Sequence, residues 1–221
     1  ILLGTLFLIL AAGIAAAAVT GSLLYTNWSR EISTNMERLA TARDRETFET
    51  TQVLDRDGEV LWEIFGEGKR TRIPLDQIPP HLIAATIAVE DDTFYENIGL
   101  DAPSLAAAVV ANFREPGGRP VGGSTITQQL VRHVAFDYDE RTAVSYDRKI
   151  KEIVLAWMMN RDYSKDEVLE MYLNEIYYGN LAYGIEAAAE TYFGKTAEQL
   201  TLGEASFLAG LPQSPAVYDI Y

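Results

Sequence analysis

A chain of 221 residues, 48% hydrophobic and 23% charged, is long enough for one domain with a buried core plus an appendage. Its net charge of −14 argues against a nucleic-acid partner, because phosphate backbones bind basic surfaces. The absence of cysteine excludes disulfides, thiol nucleophiles and Cys-type zinc sites, and two histidines, His81 and His133, are too few for a His-rich metal site.

The chain opens with ILLGTLFLILAAGIAAAAVTGSLLY, and its first charged residue is Arg30. About 20 apolar residues cross a bilayer, whereas the apolar core of a cleavable signal runs about 7–15. Residues 1–28 are therefore predicted to be a retained transmembrane anchor. A cytoplasmic leader is expected before the first Ile. Lys and Arg gather on cytoplasmic flanks, and the rest of the chain is acidic, so residues 30–221 are placed outside the cytoplasm.

Residues 29–73 read as a connector: a polar helix at 29–50, then a strand pair within 51–73 turning at Asp57-Gly58. Pro74 and Pro79-Pro80 punctuate the entry to a third segment, 74–221. Here Leu82, Ile83, Ile87 and Phe94 fall near a 3.6-residue period. A second helix is predicted at 101–113, followed by a mobile Gly/Pro loop, REPGGRPVGG, at 114–123. Further helices are predicted at 124–135, 146–161, 165–175, 181–192 and 201–211. Ser164 with Glu167, and Thr201 with Glu204, have capping-box spacing. The expected fold is mainly α, behind one membrane helix and a small β segment.

Four stretches carry candidate chemistry. Glu90-Asp91-Asp92 closes an apolar helix. Two readings fit: a solvated helix end, or a carboxylate whose proton affinity is raised by burial and like charge until it serves as a general base. In DRKIKEIVLAWMM, a 100° step gathers Ile150, Ile153, Val154 and Trp157 on one side, and Arg148, Lys151 and Glu152 on the other. That pattern suits a surface helix with an Arg148–Glu152 pair, or cations that hold a pyrophosphate with Arg132 or Arg141. In GGSTITQQLVRH, capping explains one hydroxyl but not Ser124, Thr125, Thr127, Gln128 and Gln129 together. A helix start so furnished favours anions or sugar hydroxyls. The Tyr-, Asn- and Gly-rich stretch at 170–195 suits a wet cleft wall, or helix packing through small residues. His81 and His133 read as surface or capping histidines.

Five motifs in order, EDDTFYENIG (90–99), GGSTITQQ (122–129), RKIKE (148–152), YLNEIYYGN (172–180) and AGLPQSP (209–215), give the chain a resemblance to the peptidoglycan glycosyltransferases. These are the lysozyme-like family 51 domains of class A penicillin-binding proteins and monofunctional transglycosylases. The resemblance implies a lysozyme-like helical glycosyltransferase domain over 74–221. It implies polymerisation of lipid II onto a lipid-linked glycan outside the bacterial cytoplasmic membrane, with inversion to a β-1,4 link and loss of undecaprenyl pyrophosphate. Glu90 would be the base, supported by Asp91. Glu152, Lys151 and Arg148 would organise the donor pyrophosphate, with Arg132 in the family's usual lysine position and Arg141 as a further contact. Ser124, Thr125, Gln128, Gln129 and Asn174 would line the substrate cleft. No cofactor is required, and a divalent cation, Mg or Mn, is compatible with the pyrophosphate. The implied partners are lipid II, the growing glycan and the bilayer, with a transpeptidase domain or other cell-wall synthesis proteins.

Two positions depart from the family pattern: Asn97 replaces a usual His, and Leu181 a common Gly. The chain holds neither Ser-x-x-Lys nor Lys-Thr-Gly, so a penicillin-binding transpeptidase half is not expected within it. A lysozyme-like hydrolase would also use paired carboxylates, but would have no use for the cations of RKIKE. An inactive cell-wall scaffold would have no need to keep both Glu90 and Glu152.

Overall fold

The computed structural model describes residues 2–41, 50–58, 60–64, 68–114, 123–143 and 145–213. Helix α1 spans Leu2–Ala40 without a break. The stretch predicted as an anchor and the start of the connector thus form one helix from Leu2, and residues 42–49 of the connector lie outside the described residues. Among the described residues no helix is long and apolar enough to cross a membrane. The side chains of residues 1–17, which make up most of the apolar run, are outside those described.

The expected hairpin forms from β1 (Thr51–Leu54) and β2 (Val60–Ile64), antiparallel, with Thr51 opposite Ile64. Gly58 supplies the positive φ of its turn, +89°. Lys69–Arg70 does not extend this pair. As β3 it runs parallel to β5 (Ala182–Tyr183), which pairs antiparallel with β4 (Tyr177–Gly179).

The helices match the periodicity closely: α2 (Pro80–Glu90), α3 (Ala102–Arg114), α4 (Ile126–Ala135), α6 (Tyr146–Asp162), α7 (Lys165–Glu175), α8 (Ile185–Phe193) and α9 (Leu202–Gly210). A one-turn helix, α5 (Tyr138–Thr142), was not anticipated. Pro80 starts α2 at a position where its missing N–H costs nothing. Both capping boxes form, at Ser164–Glu167 and Thr201–Glu204. Of the loop predicted at 114–123, Arg114 belongs to α3 and residues 115–122 lie outside the described residues.

Helix α4 is the hub. It packs against α1, α6 and α7, and Ile126, Leu130 and Val131 are buried with Leu155 and Met159 of α6 and Leu169 and Leu173 of α7. A second layer, α2 against α9, carries Glu90 on its last residue. The lower end of α1 is part of this core, through buried Ile32 and Leu39 and an Arg38 guanidinium that donates to the Ala135 carbonyl at 2.9 Å.

One sequence expectation is corrected. The helix predicted over 181–192 begins only at Ile185, because Asn180 and Leu181 adopt φ of 45° and 60° and close a two-residue hairpin between β4 and β5. Such a turn needs positive φ at both positions and favours Asn-Gly. On α6, Ile150 and Trp157 are exposed by 54% and 48%, while Lys151 and Glu152 are buried beside Leu155 and Ala156.

Leu181 is half exposed and holds its left-handed backbone while its carbonyl accepts from Lys69 N at 2.7 Å. A side chain in this region costs about 1–2 kcal/mol. Leu181→Gly is therefore expected to stabilise the domain by about 1 kcal/mol, read as a higher thermal midpoint. An unchanged or lower midpoint would contradict the strain.

Candidate active site

Glu90 ends α2 beside α4. Gln129 Nε2 donates to Glu90 Oε2 at 2.6 Å, and Gln129 Oε1 accepts from the buried Tyr172 hydroxyl at 3.3 Å. The other oxygen, Glu90 Oε1, is buried without a hydrogen-bond partner among the described residues. Burial is the largest influence on this carboxyl and pushes it above the ordinary 4.5; the Gln129 bond opposes this and the Asp91 charge adds to it. A raised carboxylate with one unoccupied oxygen is equipped to take a proton. It lines an open cavity of about 170 Å³ with Asp91, Asp92, Asp101, Ser104, Ser124 and Thr125.

Asp91 serves the scaffold of this site. Its Oδ2 accepts the first amide of α4, Ile126 N, at 3.1 Å, and Asn97 Nδ2 donates to its two oxygens at 2.9 and 3.1 Å. Thr125 caps α4, accepting from Gln128 N at 3.2 Å and donating to the Gly99 carbonyl at 2.8 Å.

The second carboxylate is fully buried and surrounded by charge. Glu152 accepts a two-pronged bond from Arg132 (Nε–Oε2 3.0 Å, Nη2–Oε1 3.1 Å), a bond from Arg148 Nη1 at 2.6 Å and one from Lys149 Nζ at 2.5 Å. Burial alone would raise its pKa. The Arg132 bond and charge, with Lys149, reverse that and hold the carboxyl below 4.5. Three cations around one carboxylate leave a net positive site, suited to an anion with several oxygens.

The two halves meet at Ser124. Its Oγ accepts from Lys149 Nζ at 2.8 Å and Arg132 Nη2 at 3.3 Å, and the same residue lines the cavity with Glu90. Gln128, fully buried, accepts Lys149 Nζ at 2.9 Å on Oε1, while its Nε2 has no partner among the described residues.

The structure thus brings together Glu90, Asp91, Ser124, Thr125, Gln128, Gln129, Arg132, Arg148 and Glu152. Three expected contacts stand elsewhere. Lys151 Nζ pairs with Glu31 of α1 at 2.5 Å, Asp147 at 2.8 Å and Glu140 at 3.4 Å, so it ties α6 to α1. Its place beside Glu152 is taken by Lys149, which the sequence reading missed. The helical wheel contained the signal, since a residue three before Glu152 sits 60° from it, and Lys151 sits 100° away. Asn174 is a clamp: its amide donates to the Ile73 and Glu170 carbonyls at 2.9 and 2.8 Å and accepts from Ile73 N at 2.9 Å. It lines a separate cavity with Arg72 and Glu175. Arg141 lies 5.2 Å from the Tyr138 ring on α5. His133 is half-buried and, through burial and the charges of Arg141 and Arg132, held neutral with a pKa lowered to about 4. His81 joins α2 to the Leu200 carbonyl at 2.8 Å.

Both oxygens of Glu152 already face Arg132, Arg148 and Lys149, and no cluster of three His, Asp or Glu side chains suited to a metal occurs among the described residues.

The model of the transglycosylase family matches residues 57–221. Penicillin-binding protein 1A of Escherichia coli (strain K12) is 45% identical over 191 residues, 86% of this chain and 22% of the relative. Penicillin-binding protein 1A/1B of Bacillus subtilis (strain 168) is 38% identical over 219 residues, 97% of this chain and 22% of the relative. Penicillin-binding protein 1A of Aquifex aeolicus (strain VF5) is 44% identical over 172 residues, 77% of this chain and 23% of the relative. The chain therefore spans less than a quarter of the length of these relatives.

Removing the Glu152 charge leaves Arg132, Arg148 and Lys149 facing one another. Glu152→Gln is expected to lose about 3 kcal/mol, the scale for unpairing a buried ion cluster. Because the folded pKa is depressed, the carboxylate's stabilisation is complete above 4.5 and lost as pH falls through the folded value. Denaturant unfolding against pH should show that acid-side loss in the wild type and a shallower one in Glu152→Gln. Superimposable curves would contradict the assignment.

Proposed function

This chain belongs to the transglycosylase family, and we propose that it is a peptidoglycan glycosyltransferase polymerising lipid II into β-1,4-linked glycan strands with release of undecaprenyl pyrophosphate. The observation that carries this reading is the pairing of two unlike half-sites across Ser124. On one side is a carboxylate with raised proton affinity and an unoccupied oxygen. On the other is a carboxylate that gathers three cations.

The chemistry follows from that division. Glu90 Oε1 accepts the proton of the acceptor's 4-hydroxyl as its oxygen attacks the anomeric carbon of the lipid-linked glycan. The anomeric C–O bond to the pyrophosphate breaks on the opposite face, and the configuration inverts. The pyrophosphate departs with the electron pair, and Arg132, Arg148 and Lys149 stabilise the charge that grows on it. It is a good leaving group, so no protein acid is needed. Ser124 and Gln129 contact the sugar–pyrophosphate junction, and Gln128, buried beneath, holds Lys149 in place. A hydrolase of the same glycan would leave the three-cation cluster without a task.

In this reading residues 1–28 anchor the chain in the cytoplasmic membrane with the catalytic domain on the extracytoplasmic face, which keeps the cleft beside a lipid-bound substrate. Its partners are lipid II, the growing glycan and the bilayer, with a transpeptidase domain or other cell-wall synthesis proteins acting on the product.

Glu90→Gln keeps an oxygen for Gln129 but cannot take a proton. Polymerisation of lipid II by the purified, detergent-solubilised chain, with products sized on a gel, should fall by about 10²–10⁴-fold. The acid limb of the wild-type kcat/KM profile should lie above 4.5, because Glu90 must be ionised to act and its pKa is raised. An active Glu90→Gln enzyme would refute the base assignment.

A further inference from the structure

We propose that Asn97 is a positioning residue for the general base, acting through the start of α4; the proposal rests on the assignment of Glu90 as that base. Asn97 lies in the turn that follows α2, and both ends of its side-chain amide are engaged. Its Nδ2 donates to Asp91 Oδ1 at 2.9 Å, Asp91 Oδ2 at 3.1 Å and Thr93 Oγ1 at 3.3 Å. Its Oδ1 accepts from Gly99 N at 2.9 Å and from Lys165 Nζ, at the head of α7, at 3.2 Å.

Two of these bonds lead to one place. Asp91, fixed by the amide nitrogen, accepts Ile126 N at 3.1 Å. Gly99, fixed by the amide oxygen, accepts the Thr125 hydroxyl at 2.8 Å through its carbonyl. Thr125 and Ile126 are the cap and first residue of α4. Gly99 has φ +88°, and a Cβ there would stand 2.5 Å from the Ala156 carbonyl, so the turn is pressed against α6 and has little freedom to compensate. One turn into α4, Gln129 meets Glu90 at 2.6 Å, and just before the helix Ser124 meets Lys149 at 2.8 Å. The registration of both half-sites therefore depends on where α4 begins, and Asn97 holds that point by two routes.

The chemistry of the amide matters as well as its shape. The charged groups around Asp91 are Glu90 on its own segment, Asp101 through Thr93, and Lys165 from α7. A neutral amide lets one donor nitrogen reach both Asp91 oxygens and offers Lys165 an acceptor, without adding a third carboxylate beside Glu90 and Asp91.

The test measures lipid II polymerisation by the detergent-solubilised chain, with kcat and KM separated, for wild type, Asn97→Ala, Asn97→Asp, Asn97→His and Glu90→Gln. Asn97→Asp keeps the shape and the acceptor toward Gly99 and Lys165 but turns the donor facing Asp91 into an acceptor. It is expected to lower kcat by about tenfold to a hundredfold, the scale of a small misplacement of a catalytic group, with KM unchanged. It should also move the acid limb of the pH profile upward, because a further carboxylate raises the proton affinity of the cluster. Asn97→Ala should lose kcat similarly per folded molecule, and Asn97→His, which retains an N–H donor, should largely restore it. Wild-type kcat and pH limb in Asn97→Asp, or an Asn97→His enzyme as weak as Asn97→Ala, would overturn the proposal. If Asn97→Ala does not fold, the Asp and His variants decide. An active Glu90→Gln would instead overturn the base assignment on which the proposal rests.

Discussion

The carboxylate of Asp91 accepting the first amide of α4 is the contact on which the site depends. It joins the end of the helix that carries Glu90 to the start of the helix that organises everything opposite. From that fixed point α4 distributes its side chains by 100° steps. Gln128 and Arg132, four apart, reach the Glu152 cluster, which Ser124 joins from just before the helix. Gln129, one step round, reaches Glu90. Ile126, Leu130 and Val131 enter the core. A short helix thus serves as wall, electrostatic partner and core element at once, which accounts for its dense mixture of hydroxyls, amides and apolar residues.

The two carboxylates illustrate how environment sets role. Glu152 is fully buried and Glu90 partly so, and burial pushes both toward the neutral form. At Glu90 the opposing influence is a single amide bond, and burial prevails. At Glu152 three cations oppose it and prevail. An isolated buried carboxylate costs several kcal/mol, so Glu152 is tolerable only with its cations; equally, those cations are held close together only by Glu152. Proton affinity is raised at Glu90, and positive charge is concentrated across Ser124 from it.

Much of this was legible in the sequence because it rests on local signals. The capping boxes at Ser164 and Thr201, Pro80 at a helix start and the Asp57-Gly58 hairpin are each written within a few residues. The acids at 90–91 and the polar run at 124–129 were recognisable as candidates because their residue types are unusual beside apolar helices. What the sequence hid depends on tertiary partners. The buried face of α6 carries Glu152 among Leu155, Ala156 and Met159, and that carboxylate is tolerated there because Arg132 arrives from α4 to pair with it. Lys149 and Lys151 differ in the string only by 60° against 100° from Glu152, and tertiary partners complete the separation, since Glu31 on α1 and Glu140 on α5 join Asp147 in drawing Lys151 away. Asn174 resembles a cleft residue until Ile73, far away in the chain, takes up its amide. The helical pattern after Tyr177 concealed a hairpin whose turn places Leu where Gly is favoured.

The central claim is that proton transfer and pyrophosphate binding are separated between Glu90 and the cations around Glu152. Equilibrium binding of undecaprenyl pyrophosphate to the detergent-solubilised chain tests this most directly, comparing wild type with Glu90→Gln and Arg132→Ala. The account predicts wild-type affinity in Glu90→Gln and affinity weakened by about tenfold or more in Arg132→Ala, the scale of one charge-assisted bond lost. Weakened binding in Glu90→Gln together with unchanged binding in Arg132→Ala would contradict the division of the site.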